Sequence, residues 1–131
     1  MSFDPIADLL ARLQNAALAG HSKLTVPYSD MLWSVTRVLQ SEGFIVELNK
    51  KQKDNKNYIH IELAVTAAGR PALTGVKRVS KLSRRVYAKA KELRSVRGGY
   101  GRLLVSTPEG VMTGRQARHK HLGGEVLCEI W

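Results

Sequence analysis

Apolar residues in the first half of the chain recur at the three- and four-residue spacings of amphipathic helices. A first helix is expected from Pro5 to Gly20, and a second one from Ser29, whose hydroxyl can cap it, to Gly43. Two such helices need a partner layer to cover their apolar faces. The inward-facing positions are Ile6, Leu9, Leu10, Leu13 and Ala17 in the first helix and Leu32, Val35, Val38 and Leu39 in the second.

Stretches with alternating or β-branched residues supply that layer, because they predict strands at 21–26, 44–48 and 58–65. The last two strands flank the segment 50–57, KKQKDNKN, which predicts a polar hairpin loop. A solvated, mobile turn is the favoured interpretation of this loop, over a contact with a polyanion. Helix, strand, helix, strand and strand together predict a compact α+β unit over residues 1–66.

The second half alternates with the two-residue period of strands. Strands are expected at 75–80, 85–90 and 102–107, with one helical turn within 92–96. The whole chain is therefore expected to be α+β, with an α-β-α-β-β domain at 1–66 packed on a mostly β domain at 67–131. Pro108-Glu109-Gly110 is expected to end the strand at 102–107. A short helix is expected from Gly114, after a Thr113/Gln116 capping box, to Gly123-Gly124, and a last strand at 125–131.

The net charge of +10 is segregated to one half of the chain. Residues 1–66 contain seven Lys or Arg and seven Asp or Glu, whereas residues 67–131 contain fourteen and four. Charge confined to one half indicates a docking surface for a polyanion, since a merely soluble surface intersperses its signs. Nucleic acid is the expected partner. No membrane partner is expected, because no apolar run approaches the roughly 20 residues of a span and an anionic membrane would more often recruit a basic amphipathic helix.

The densest basic stretch surrounds a tyrosine. Between Arg70 and Arg102 there are eleven basic residues and a single acid, Glu92. Basic side chains around an aromatic ring are typical of a surface that neutralises phosphates and stacks a base. Spacing alone slightly favours the other interpretation of Tyr87, a core residue at the centre of an alternating strand.

A second candidate contact is the turn that follows residues 102–107. It reads Ser106-Thr107-Pro108-Glu109-Gly110 and is expected to expose hydroxyls and backbone N–H groups. Such groups suit the sugars and phosphates of an irregular RNA. The sequence therefore predicts an RNA-contacting tip at 106–110.

No converging set of residues predicts catalysis, a metal site or a cofactor. His119 and His121 lie two positions apart, on different sides of a helix, and no cysteine pair completes a zinc site. Cys128 stands in an apolar alternation that favours a buried thiol over a nucleophile, and Ser106 lacks the context of a nucleophile elbow. A non-catalytic RNA-binding protein is favoured, with a small basic nuclease or RNA-modifying enzyme as the alternative.

The two ends of the chain carry a pattern that strongly resembles the small-subunit ribosomal protein eight family. The pattern is G-x-G, S-T, G-V-M-T, A-R, G-G-E-V-L-C and a terminal tryptophan, and the likeness resumes near the N-terminus. It covers nearly the whole chain in the expected order. The matching positions are Gly99, Gly101, Ser106, Thr107, Gly110–Thr113, Ala117, Arg118, Gly123–Cys128 and Trp131, together with Asp4–Asp8, Arg12, Asn15 and Ala16.

The resemblance implies a structural protein of the small ribosomal subunit that needs no cofactor. Such a protein binds the central domain of small-subunit ribosomal RNA directly, helps assembly beside other small-subunit proteins, and in bacteria can repress its own messenger RNA. The implied location is the cytoplasmic ribosome of a bacterium, or alternatively an organellar ribosome. The implied RNA-binding residues are Ser80, Lys81, Arg84, Arg85, Tyr87, Ser106, Thr107, Pro108, Glu109, Gly110, Gly123, Gly124 and Glu125, with Arg12, Asn15 and Ser29 in the first half.

The chain departs from the family pattern at several of these places. Leu82-Ser83 replace a frequent Pro-Gly, and Pro108 stands where a second serine is common. Asp30 and Leu32 occupy positions usually filled by lysine. Together with the zero net charge of residues 1–66, these departures indicate that the first half has lost part of its own RNA contact.

Overall fold

The structure, a computed structural model, describes residues 4–94 and 101–131. These residues fall into two compact units, a first unit of residues 5–74 and a second unit of residues 75–131 together with Asp4. The described elements are helices and two antiparallel sheets, so the α+β class expected from the sequence is confirmed. A domain boundary after residue 66 stays a prediction.

The first unit contains two helices and a three-stranded sheet. Helix α1 spans Pro5–Ala19 and helix α2 spans Asp30–Ser41. The predicted caps are in place, because the Ser29 hydroxyl accepts a 3.1 Å hydrogen bond from the N–H of Leu32, and the chain leaves each helix through a glycine with positive φ. The strands β1 Lys23–Pro27, β2 Ile45–Lys53 and β3 Lys56–Leu63 pair in the order β1-β3-β2.

The predicted hairpin is present, but the predicted loop at 50–57 is too long, because β2 and β3 continue through most of it. Only Asp54 and Asn55 turn the chain, with φ of 52° and 62°. Two consecutive positive φ values give the tight turn whose twist matches the flanking strands, and Asp and Asn tolerate that conformation. As a result Lys50 is a strand residue, directly opposite the fully buried Ile59.

The second unit is built around its last strand. Strand β8, Gly124–Ile130, pairs with β4, Val76–Arg78, with β5, Tyr87–Ala88, and with β6, Arg102–Thr107. Strand β6 also pairs with β7, Gly110–Thr113. Helix α3, Gly114–His119, and a 3₁₀ turn at Ala90–Glu92 complete the described part of the unit.

Several elements of the second unit differ from expectation. The expected strands at 75–80 and 85–90 are shorter, and β7 was not predicted. Helix α3 begins behind the predicted capping box, yet it ends at His119 and the chain turns through His121, with φ of 58°, before Gly123-Gly124 is reached. The helical turn lies at 90–92, and the positions 95, 96 and Gly99 of the expected pattern lie outside the described residues.

One core cluster of the second unit lies on one face of its sheet. Val105 of β6 stands between Met112 of β7 and Val126 of β8, and all three pack with Leu93 and Ala117. Directly opposed residues of paired strands point to the same face. The residues one position further along these strands therefore belong to the other face of the sheet.

Cys128 should not react in the folded protein. Burial raises the pKa of its thiol from 9.0 to about 12, against the opposing effect of the Arg78 charge. Because the folded pKa is the higher one, the neutral thiol stabilises the fold below pH 9, and that contribution is lost as pH rises towards 12. At pH 8 iodoacetamide should leave the native thiol intact and alkylate it in guanidinium. Equal alkylation rates in both conditions would contradict this.

Candidate nucleic-acid interface

One row of side chains crosses the sheet of the second unit. In β8 Glu125 stands directly opposite Tyr87 of β5 on one side and opposite Ser106 of β6 on the other. Opposed residues share a face, with Cβ atoms about 5 Å apart. Three residues from separate stretches, each expected to contact RNA, are therefore brought into one row, on the face away from Val105 and Val126.

Tyr87 presents its ring to solvent, because 70% of the residue is exposed. Its neighbour Ala88 packs against the core cluster on the opposite face of the sheet. The interpretation of Tyr87 as a core tyrosine is therefore wrong. An exposed ring on a rigid strand is suited to stacking on a base.

Glu125 holds the segment before Tyr87 in position. Its carboxylate accepts a short hydrogen bond from the hydroxyl of Ser80, which is completely buried, and lies 3.1 Å from the guanidinium of Arg85. The same Ser80 oxygen accepts a 3.1 Å hydrogen bond from the N–H of Val86. Ser80 is therefore a positioning residue inside the protein, with no surface left for an RNA contact.

The basic side chains of this segment differ in how free they are. Lys81 and Arg84 are joined by two backbone hydrogen bonds, of 2.8 and 3.0 Å, across the tight turn at Leu82-Ser83, and both side chains are exposed. The hydrogen bond and charge of Glu125 raise the pKa of Arg85 still further. Arg85 is thus partly committed to the protein, whereas Lys81 and Arg84 project towards solvent.

The turn after β6 uses one of its two hydroxyls internally. Thr107 is only 8% exposed, and its hydroxyl donates to the Gly110 carbonyl at 2.7 Å and accepts from the Glu109 N–H at 3.1 Å. The expectation of an exposed Thr107 hydroxyl is therefore wrong. Ser106 is half-buried on the row described above, while Pro108, Glu109 and Gly110 form the exposed tip. Gly110 adopts a φ of 115°, which only glycine reaches easily.

Gly123 and Gly124 permit a close approach of backbones. A Cβ on Gly124 would stand 2.1 Å from the carbonyl oxygen of Ser106, and one on Gly123 would stand 2.6 Å from that of Ala88. Real side chains do not tolerate such distances, so both positions require glycine. The two glycines fix how β8 enters between β5 and β6, and therefore fix where Glu125 lies.

The remaining expected contacts belong to the first unit and do not form one site. Arg12 is exposed, pairs with Asp8 at 3.0 Å and donates to the carbonyl of Thr25 at 3.1 Å. Together with the exposed Asn15 it lines a groove of about 350 Å³. Ser29 is absent from that groove, and its hydroxyl already caps helix α2.

Sequence reasoning missed one cluster in the first unit. The ammonium of Lys50 lies 5.2 Å from the centre of the Tyr28 ring and 4.6 Å from that of Trp33. The signal that could have revealed it is Asp54-Asn55, a pair suited to a two-residue turn. Such a turn places Lys50 in a strand beside the helices.

Other classes of site find no support in the described residues. Across 4–94 and 101–131 no three His, Cys, Asp or Glu residues come together as metal ligands. Within the same ranges no helix combines the length and the apolar character that crossing a membrane requires. The exposed surface described above is basic, aromatic and hydroxyl-bearing, which is the chemistry of RNA contact.

Comparisons with known proteins agree with this chemistry. Residues 4–131 match the family model described as Ribosomal protein S8. The chain therefore belongs to the ribosomal protein S8 family, a family of structural ribosomal proteins and not of enzymes. The resemblance seen in the sequence is thus confirmed.

Similar proteins cover almost the whole chain. A small ribosomal subunit protein uS8 of Nostoc punctiforme is 46% identical over 129 residues, which is 98% of this chain and 97% of that protein. Proteins of the same name from Roseiflexus castenholzii and Brevibacillus brevis are each 43% identical over 128 residues, with the same two coverages.

Replacing Gly124 by alanine should damage the second unit. The new Cβ cannot fit beside the Ser106 carbonyl, so the free energy of unfolding should fall by about 3 kcal/mol or more. Gly20→Ala is the matched control, because Gly20 has a positive φ but open space around it, and should cost only about 1 kcal/mol. Urea unfolding of both variants measures the difference. Equal losses would mean that the close approach is not the constraint.

Ser80→Ala should destabilise the protein, although a conservative change on the surface would not. It leaves the Val86 N–H and one Glu125 oxygen without this partner, at about 1–3 kcal/mol. Ser83→Ala is the control, since Ser83 is exposed three positions away, and should change stability by less than about 0.5 kcal/mol. Thermal unfolding of the two variants tests this, and a loss shared by both would contradict the assigned role of Ser80.

Proposed function

We propose that this chain is a structural constituent of the small ribosomal subunit and that its second unit binds the central domain of small-subunit ribosomal RNA directly. The observation that carries the proposal is the row Tyr87–Glu125–Ser106, flanked by the exposed cations Lys81 and Arg84. It is supported by bacterial relatives named as small ribosomal subunit proteins.

Each part of the row has a separate task in this mechanism. Lys81 and Arg84 neutralise phosphates, which supplies affinity without reading sequence. The Tyr87 ring stacks on an unpaired base, and the Ser106 hydroxyl hydrogen-bonds a sugar or base edge. Pro108, Glu109 and Gly110 bring backbone groups to the RNA, while Gly123, Gly124, Glu125 and Thr107 shape the surface from within the protein.

Arg12, Asn15 and Ser29 form a weaker part of the proposal. Arg12 and Asn15 share an exposed groove and offer a cation and an amide to RNA. Ser29 contributes only through the helix that it caps. Loss of lysine at positions 30 and 32 leaves this contact secondary to that of the second unit.

Three further roles follow from direct binding of RNA. The protein helps the central domain to assemble and neighbours other small-subunit proteins. It represses its own messenger RNA where that RNA offers a stem of the same shape. The bacterial sources of the relatives favour the cytoplasmic ribosome of a bacterium over an organellar ribosome.

Ser106→Ala should weaken binding to the cognate RNA selectively. It removes one half-buried hydroxyl, so the loss should be about 1–3 kcal/mol, or roughly five- to 150-fold in Kd. The free energy of unfolding should hardly change, because the two hydrogen bonds of the Thr107 hydroxyl stay intact. Filter binding on the central-domain stem and on a random duplex measures the effect. An unchanged ratio between the two RNAs would remove Ser106 from the recognition site.

Arg84→Ala provides the contrast for that experiment. A phosphate contact carries no sequence information, so both RNAs should lose affinity by similar factors, and the log–log salt slope should become shallower by about 0.9. A loss confined to the cognate stem would instead assign a specific contact to Arg84.

A further inference from the structure

Lys50 in the first unit is held between two aromatic rings. Its ammonium lies 4.6 Å from the Trp33 ring centre and 5.2 Å from that of Tyr28, and the two rings are tilted by 41° with centres 6.3 Å apart. A third group, the guanidinium of Arg37, lies 6.0 Å from the Trp33 centre. Cations near ring faces are attracted to the negative π-surface, so this lysine has a defined position.

The simplest role of this arrangement is to seal the edge of the core. In the β2–β3 register Lys50 stands directly opposite Ile59, which is fully buried, so both side chains leave the sheet on its buried face. The aliphatic stem of Lys50 can cover apolar surface there while the ammonium reaches the rings. Covering apolar surface, however, requires neither a charged group nor a cleft beside that group.

A cleft of about 310 Å³ opens beside the ammonium. The residues that line it are two lysines, two amide residues and a tyrosine, with no Asp or Glu among them. Asp30 lies beside the lining, since its carboxylate accepts a 3.0 Å hydrogen bond from the Tyr28 hydroxyl. The lining residues are Tyr28, Lys50, Lys51, Gln52 and Asn57.

The lining selects an anion that also carries hydrogen-bonding groups. Lys50 and Lys51 attract the charge, and the amides of Gln52 and Asn57 can both donate and accept. Because the rings already restrict the Lys50 side chain, less rotamer freedom is lost when it binds a ligand. A preorganised cation of this kind favours a fixed contact over diffuse attraction.

The geometry points to a phosphate-binding cleft for a non-duplex RNA strand, formed by Tyr28, Lys50, Lys51, Gln52 and Asn57. One backbone phosphate lies on the ammonium of Lys50, and the attached sugar or base meets the amides of Gln52 and Asn57, which share its face of the hairpin. The inference rests on the proposed function, since it adds another contact with the same RNA to the one proposed for Arg12 and Asn15 in the first unit. RNA is favoured over an acidic protein because the amides of Gln52 and Asn57 can both donate and accept, as the edge of an unpaired base requires.

The test is Lys50→Met in the full chain, measured against a transcript of the ribosomal RNA central domain. Methionine keeps the apolar stem and removes the charge. Affinity should fall about five- to tenfold near 0.1 M salt, and the salt slope should become shallower by about 0.7, the single-strand value for one phosphate. Lys53→Met, the matched control, removes an exposed charge outside the cleft and should change affinity less than about twofold.

Lys50→Arg and the emission of Trp33 separate a ligand contact from a packing role. Arginine keeps the charge and stacks on rings, so it should restore the native salt slope. Adding the transcript should change Trp33 emission in the native and Lys53→Met proteins, but not in Lys50→Met. The Trp33→Phe protein identifies which part of the signal belongs to Trp33.

Several results would overturn the inference. Equal losses from Lys50→Met and Lys53→Met would mean diffuse attraction, and a lower melting temperature with an unchanged salt slope would mean packing alone. A polyglutamate peptide that changes Trp33 emission where the transcript does not would assign the cleft to an acidic protein. Failure of the native chain to bind the transcript at all would instead contradict the proposed function.

Discussion

The second unit depends on the absence of two side chains. Gly123 and Gly124 let the backbone of β8 lie against the carbonyl oxygens of Ala88 and Ser106, where a Cβ would stand 2.6 and 2.1 Å away. This approach sets the register of β8 between β5 and β6. The register in turn places Glu125 between Tyr87 and Ser106. Two glycines that have no proposed RNA contact of their own therefore determine the spacing of the groups proposed to bind RNA.

An acid at the centre of a basic surface has a physical explanation here. Glu125 is largely buried and has two partners, since it accepts a hydrogen bond from Ser80 and pairs with Arg85. Ser80 in turn accepts a hydrogen bond from the N–H of Val86. Buried charges are tolerated when they are paired and hydrogen-bonded in this way. The consequence is that Arg85 is less available to phosphates, and the exposed cations Lys81 and Arg84 take that part of the proposed interface.

The features that the sequence predicted correctly are those encoded locally. The caps at Ser29 and at Thr113/Gln116 need only residues three apart, and both are present. The family resemblance predicted which residues of the second unit contact RNA, but it did not reveal that Ser80 and Thr107 face inward. Thr107 is turned inward by the local hydrogen bonds of its own turn, which a family pattern does not display. The position of Ser80 instead depends on Glu125, 45 residues further along the chain, a long-range pairing that periodicity does not encode. The same limit concealed β7 and the place of Lys50 beside the rings.

The division of labour within Ser106-Thr107 has a consequence for protein engineering. Thr107 closes its own turn through two hydrogen bonds, whereas Ser106 has its side chain on the row with Glu125 and Tyr87. The two adjacent hydroxyl residues thus have different roles, one in the structure of the turn and one on the surface of the sheet. A library intended to alter the proposed RNA contact should randomise Ser106 and leave Thr107 unchanged. Variation at Thr107 would mostly sample misfolded loops instead of new specificities.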